Sequence, residues 1–397
     1  MSQAQSTETP AAPLALGRPL TLIMAAATGV AVANIYYNQP MLGVIERDFP
    51  RSAATALIPT ATQLGYALGL FLVTPLGDLM DRRRLIVGQF VILALALIAA
   101  AAAPSALILV IASFLLGACA TVAQQIVPFA ASLSAPEKRG GTVGVVMAGL
   151  LCGILFSRTL AGFVATHAGW RQMFWLSSPL ALAAAGTMAV VLPRNHPHTG
   201  MRYGMALRSL AHLWRTEPVL RAATLTQACL FGAFTVFWTI LALHLQQSRF
   251  HMGADVAGLF GVVGAVGVFA APLAGRIVDR SGPRLVIGLG AILTVLSWLI
   301  FGLWDTIPGL ILGVVLLDFG VQSAIVSNQH RVYALHPQAR SRLNTVFMTG
   351  MFLGGSAASA LAMTVWRFGG WSGVSALGAI LATVALLIQF LPIRAKI

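Results

Sequence analysis

Apolar residues run in unbroken stretches along nearly the whole chain, interrupted by short loops in which the charged residues collect. A membrane-spanning helix needs about 20 mostly apolar residues. Stretches of that kind fall at 20–43, 53–76, 85–103, 106–131, 141–166, 172–192, 221–246, 254–276, 285–303, 309–333, 343–366 and 372–392. The runs are continuously apolar and lack the alternation of a barrel strand, so the pattern predicts helices. The predicted layout is a tail at 1–19, a six-helix bundle at 20–192, a linker at 193–220, a second six-helix bundle at 221–392 and a tail at 393–397.

The second bundle repeats the first. A constant offset of 201 aligns Pro136 with Pro337, Arg139 with Arg340, Met147 with Met348, Gly149 with Gly350, Gly153 with Gly354, Gly169 with Gly370 and Trp170 with Trp371. Earlier in each copy, Gly77-Asp78-Leu79-Met80-Asp81-Arg82 matches Gly275-Arg276-Ile277-Val278-Asp279-Arg280 at an offset of 198. Copies this long are halves of one fold rather than solenoid units. The expected fold class is all-α integral membrane, with twelve transmembrane helices in two bundles related by a parallel pseudo-twofold repeat.

Composition agrees, because 58% hydrophobic and 9% charged residues leave too little polar surface for a water-soluble chain of this length. The first apolar run exceeds the roughly 7–15 residues of a signal-peptide core, so it counts as a span. Alternate loops hold most of the arginines and lysines, from Arg18 and Arg82 to Arg394 and Lys396, while the opposite loops hold only Arg47, Arg51, Arg171, Arg249 and Arg367. The positive-inside rule then places both termini in the cytoplasm. The net charge of +14 fits attraction to anionic headgroups; it is scattered over many short loops, which argues against nucleic-acid binding. In the linker, Met205 to Leu213 reads as a short amphipathic surface helix. His196 and His198 have no carboxylate or cysteine nearby, and Cys119, Cys152 and Cys229 lie apart inside apolar segments, so no metal or cofactor is expected. Nucleotide-loop, serine-nucleophile and zinc-peptidase motifs are missing from the sequence. The chain is therefore expected not to be an enzyme, and any energy input should come from an ion gradient.

Two charges lie deep inside spans. Asp318 sits about ten residues beyond Pro308 and Arg158 nine residues before His167, depths of roughly 15 Å and 13 Å from the same side. Each costs roughly 2.5–3.5 kcal/mol on insertion scales and marks a functional candidate. At the repeat offset Asp318 faces Gly117 and Arg158 faces Ser359, so each half added one charge. Asp318 is expected to titrate a proton or meet a substrate cation; Arg158 either closes the interface between halves, pairs with a carbonyl, or binds an anion. Asn34, Tyr37 and Asn38 share a helical face by their spacing, as do Asp318 and Gln322. In the loop after span 2, Gly77 permits close approach of a neighbour, and Asp81 can favour a helix N-terminus or pair with a basic residue.

The two six-span halves, the basic central loop and the repeated glycine-to-arginine loop resemble the major facilitator superfamily over essentially the whole chain. Asn34-Ile35-Tyr36-Tyr37-Asn38-Gln39-Pro40 in span 1 and the Gly169-Trp170-Arg171 turn are similar to those of bacterial members near the twelve-span drug:proton antiporters. The resemblance implies alternating access between halves and efflux of a small organic molecule against protons. It implies that spans 1, 4, 7 and 10 line the pathway, which nominates Asn34, Tyr37, Asn38, Gln124, Gln125, Trp238 and Gln322 for substrate, while their charge inside the membrane makes Asp318 and Arg158 the proton-coupling candidates. It also implies that Asp81, with Arg82 as partner, latches the cytoplasmic side, so Gly77, Asp81, Arg82, Gly275, Asp279 and Arg280 are the gating candidates. The pattern departs from the family where Ser113 replaces a span-4 arginine and Ser157-Arg158 replaces a Gly-Pro pair. The expected protein is a monomer of a bacterial inner membrane whose partners are a small-molecule substrate, protons and membrane lipid. An importer of a metabolite and a non-transporting receptor or assembly factor are the alternatives.

Overall fold

The computed structural model describes residues 17–50, 52–135, 137–194, 202–247 and 249–390, and these are helical throughout with no strand. Span 1 is formed by α1 (Arg18–Ala33) and α2 (Asn38–Asp48), span 2 by α3 (Ile58–Leu72), span 3 by α4 (Arg82–Ala101), and span 4 by α5 (Ala106–Ala120) and α6 (Val122–Leu133). Spans 5 and 6 are α7 (Arg139–His167) and α8 (Trp170–Val191); the linker helix is α9 (Tyr203–Thr216) and span 7 is α10 (Pro218–Leu245). Span 8 divides into α11 (Ala254–Gly264) and α12 (Gly267–Ser281); α13 (Pro283–Leu303) and α14 (Ile307–Tyr333) follow, and α15 (Arg340–Ile388) carries spans 11 and 12.

Among the described residues, ten helical segments are long and apolar enough to cross a membrane, against the twelve expected. The difference lies at two places. Span 8 is broken at Ala265 and Val266, so neither piece qualifies by length. Spans 11 and 12 join in one 49-residue stretch whose only non-helical backbone is at Gly370, with φ 55° and ψ −151°. Gly169, its repeat partner, enters α8 at φ 95° and ψ 155°. Both conformations are open essentially to glycine alone, which accounts for the aligned glycines. Each turn is tied back to the end of an earlier span. Arg171 donates to the Ala103 carbonyl at 3.2 Å and Trp371 to the Phe301 carbonyl at 2.8 Å, two carbonyls that sit 198 residues apart.

Small residues set the crossings within each half. A Cβ on Gly149 or Gly153 would run into the carbonyls of Ala25 and Gly29 on α1, and one on Gly354 would lie 2.6 Å from the Ala228 carbonyl on α10. These glycines hold spans 1 and 5, and 7 and 11, together inside a half. The most extensive contacts between halves are α7 against α11 and α3 against α15, which the repeat relates to one another, and α2 also packs on α10 and α11. The first is made by Gly162, which backs onto the Ala254 carbonyl, and by Thr159, whose hydroxyl donates to the Gly258 carbonyl at 3.1 Å. In the second, the Ser356 hydroxyl donates to the Thr60 carbonyl at 3.1 Å, and the Tyr66 and Phe352 rings meet at 4.3 Å.

The amphipathic linker helix forms as its pattern predicts, and it runs to Thr216. Leu210 and Leu213 bury against Leu220, Val332, Leu343 and Phe347 of the second half. The Tyr203 hydroxyl donates to the Leu72 carbonyl at 2.8 Å, so α9 touches both halves on the side of the basic loops. His196 and His198 lie outside the described residues.

An added Cβ at Gly169 or Gly370 would meet nothing within 4 Å, so replacement by alanine costs backbone energy alone. Gly169→Ala and Gly370→Ala should each destabilise the protein by about 1–3 kcal/mol, read as a lower Tm in detergent. Gly275→Ala, helical and equally open, should hold or raise Tm.

Candidate functional site

The buried centre of the molecule is assembled by a local departure from the α-helix in span 1. Pro40 has no N–H to give the Tyr36 carbonyl, and the Gln39 N–H takes that carbonyl instead, at 3.3 Å. The Tyr36 N–H bonds the Ala33 carbonyl in the same three-residue pattern. Tighter winding of this kind turns each residue about 20° further round the axis. As a result Tyr36 and Gln39, rather than Tyr37 and Asn38, face the interface between halves.

Arg158 of span 5 receives both. Its Nε donates to Gln39 Oε1 at 2.9 Å, and its guanidinium lies 4.5 Å from the Tyr36 ring centre and 4.0 Å from that of Trp238 on span 7, with Phe234 at 5.6 Å. Arg158 therefore joins spans 1 and 5 of the first half to span 7 of the second. Cation–π contacts of this kind are worth about 2 kcal/mol when desolvated. Asp318 of span 10 belongs to the same centre, because it shares the Gly264 wall with Trp238. A Cβ on Gly264 would lie 3.1 Å from both Asp318 Oδ1 and Trp238 Cζ2. Arg158 is 3% exposed and Asp318 5%, yet no direct ion pair joins these two described residues. Arg158 Nη2, Asp318 Oδ2 and Trp238 Nε1 are all buried without a hydrogen-bond partner.

The repeat shows how room for Asp318 was made. In the first half its counterpart Gly117 packs directly against the Thr62 carbonyl of span 2. In the second half the carboxylate stands between spans 10 and 8, and span 8 breaks there, with Gly264 and Gly267 flanking the break. Gln322, one turn along from Asp318, places Cγ 3.2 Å from where a Gly267 Cβ would be.

The other substrate candidates lie away from this centre. Asn34 turns its amide to its own helix, donating to the Val30 carbonyl at 2.7 Å; Tyr37 neighbours Ser177 of span 6; Asn38 donates to the Thr62 hydroxyl at 2.7 Å. Gln125 donates to the Val73 and Thr74 carbonyls, each at 3.2 Å, and so holds the unwound end of span 2. Gln124 donates to the Tyr66 hydroxyl at 3.3 Å. Both glutamines border a cavity of about 280 Å³ on the side of the basic loops, lined also by Asp78, Arg82, Tyr333 and Arg340, so both halves contribute to it.

A model of the Major Facilitator Superfamily matches residues 24–359 and 223–396. The chain belongs to the Major Facilitator Superfamily. Transporter YgaY of Escherichia coli O157:H7 is 40% identical, over 94% of this chain and 95% of the relative. The multidrug resistance protein B homolog of Mycobacterium tuberculosis (strain CDC 1551 / Oshkosh) is 26% identical, over 84% and 74%. Among solved structures, an inward-facing, occupied bacterial homolog of the human lysosomal transporter Spinster superposes with TM-score 0.76 at 12% identity, covering 94% and 96%. The partially occluded inward-open xylose transporter XylE of E. coli gives 0.71 at 15%, covering 94% and 97%. The fold class is thus that of the superfamily, and the protein is a multi-pass membrane transporter rather than an enzyme.

Within this superfamily member the gating candidates arrange differently from expectation. Arg82 pairs with Asp78 at 2.8 Å, not with Asp81, and its Nε donates to the Gly77 carbonyl at 2.9 Å. Asp81 caps α4 by accepting from the Arg83 N–H at 2.9 Å. Gly77 makes room for the Gln125 side chain rather than for a neighbouring backbone. In the second copy Gly275 faces open space and Arg280 is exposed, while the Asp279 side chain lies outside the described residues. Tyr36 and Gln39 were missed as site residues; the one signal was an amide beside a proline inside an apolar span.

Gly264→Val should crowd Asp318 and Trp238, at a packing cost of about 1–3 kcal/mol, and lower transport roughly tenfold. Gly288→Val, at a glycine with open space around it, is the control. Equal rates in proteoliposomes would show that span 8 does not bear on the centre.

Proposed function

We propose that this transporter exports a small organic molecule from the cytoplasm of a bacterial cell in exchange for protons, with the Arg158–Asp318 centre as its coupling site. The observation that carries the reading is the placing of two buried, opposite, unpaired charges at the meeting of spans 1, 5, 7, 8 and 10. A centre shared by both halves is remade whenever the halves rock, so its occupancy can be tied to which side is open. Asp318 is the group that takes the proton, and the charged or titratable groups facing it are Arg158 from span 5 and Tyr36 from span 1.

Access is supported from the basic-loop side. The 280 Å³ cavity lies between the ends of spans 2, 4, 10 and 11 on that side, and α7 packs on α11 through its opposite half. The arginine distribution makes that side cytoplasmic, with both termini there. Likeness to a protein named for multidrug resistance favours export, and the protein acts as a monomer in the inner membrane. Gly77, Asp81 and Arg82, with Gly275, Asp279 and Arg280 as the second copy, form the cytoplasmic latch.

Counterflow in proteoliposomes, screened over organic solutes with and without a pH gradient, tests the coupling. Asp318→Asn should abolish pH-driven accumulation while keeping some solute exchange; intact pH-driven accumulation in the variant removes Asp318 from the role. Asp81→Asn preserves a good helix cap and removes the charge. It should shift labelling of engineered cysteines between the two sides with little change in solute affinity, and an unchanged labelling pattern would exclude the latch.

A further inference from the structure

We propose that the Arg158–Asp318 centre takes an amphoteric solute, a small molecule carrying a carboxylate and an ammonium group on an apolar body. The inference rests on the reading of this centre as the transport site and adds the charge class of the cargo. One pole of the centre offers donors. Arg158 Nε is committed to Gln39, while Arg158 Nη2 and Trp238 Nε1 are buried with no partner. Two N–H groups that can only donate call for an acceptor, and a guanidinium favours a planar carboxylate. The other pole offers Asp318 Oδ2, also buried and unpartnered, which calls for a donor and, from a carboxylate, a cationic one. Trp238 relates the two poles: the Arg158 guanidinium lies 4.0 Å from its ring centre, and its ring and the Asp318 carboxylate border the same Gly264 wall.

Charge balance selects among the ligands. With Asp318 ionised, the centre holds one cation and one anion and is neutral as a unit. A ligand bearing a single charge would leave a net charge where desolvation costs several kcal/mol per ion. A zwitterion leaves none and answers both unpaired poles. Tyr36, Phe234 and Trp238, each no more than 5% exposed, supply an apolar wall for its body. The same arrangement gives the exchange a simple basis. A proton and the ammonium group compete for one carboxylate, and because the solute carries no net charge, each exchange for a proton moves one positive charge inward.

The test is calorimetric titration of the full-length protein in lipid nanodiscs, with no gradient present, against matched probes. One set shares a benzyl body: L-phenylalanine, phenethylamine and 3-phenylpropanoate. The second shares an isobutyl body: L-leucine, isoamylamine and 4-methylpentanoate. The wild type should bind at least one zwitterion about tenfold or more tighter than either singly charged partner of its set. Asp318→Asn should move the preference to the carboxylate probe and Arg158→Gln to the amine. A wild-type preference for a singly charged probe, no binding of any probe, or variants that weaken all probes alike would each overturn the proposal. Zwitterion preference without pH-driven flux would sink proton coupling and spare this inference, whereas pH-driven flux with a preference for amines would do the reverse.

Discussion

Water does not reach the middle of a lipid bilayer, so a charge placed there has to be met by protein. Arg158 and Asp318 impose that requirement on this fold from opposite halves. Neither is neutralised by direct contact with the other. Arg158 is held by an amide from span 1 and by aromatic rings from spans 1 and 7, and Asp318 by the broken middle of span 8. The tight turn before Pro40, the interruption at Ala265 and Val266, and the inter-half contact of Thr159 and Gly162 with span 8 all surround these two charges.

The two halves also show how a duplicated scaffold acquires an asymmetric site. Their crossings remain alike, with Gly149 and Gly153 against span 1 matched by Gly350 and Gly354 against span 7. Where Gly117 of span 4 is matched by Asp318 in span 10, the symmetry fails. Gly117 allows backbone contact with span 2; Asp318 fills the equivalent space and span 8 yields. Span 1 is interrupted around Tyr36 and span 8 at Ala265 and Val266, and both interruptions lie at the shared centre of the two bundles.

Legibility in the sequence followed the range of the interactions involved. Asp318 and Arg158 could be picked out because a charge inside an apolar span is anomalous on its own, and Trp238 because the family resemblance makes span 7 a wall of the pathway. Tyr36 and Gln39 could not, since their facing depends on a few residues of altered winding that a fixed helical period misplaces. Gln125 looked like a pathway residue because its polarity was visible and its partners, the Val73 and Thr74 carbonyls about fifty residues back in the chain, were not. The pairing of Arg82 with Asp78 rather than Asp81 turned on a cap: once Asp81 accepts from the Arg83 N–H, Arg82 reaches the acid one turn earlier.

The chain by itself determined its solvent, its two-fold repeat, its spans and the depth of its buried charges, because hydropathy, periodicity and composition act locally and need no partner to be read. Only the tertiary structure decided which side chains meet. Helix rotation, breaks and crossings are settled by packing against segments far away in sequence, and a shift of a few tens of degrees separates a residue that lines the centre from one that holds two helices together.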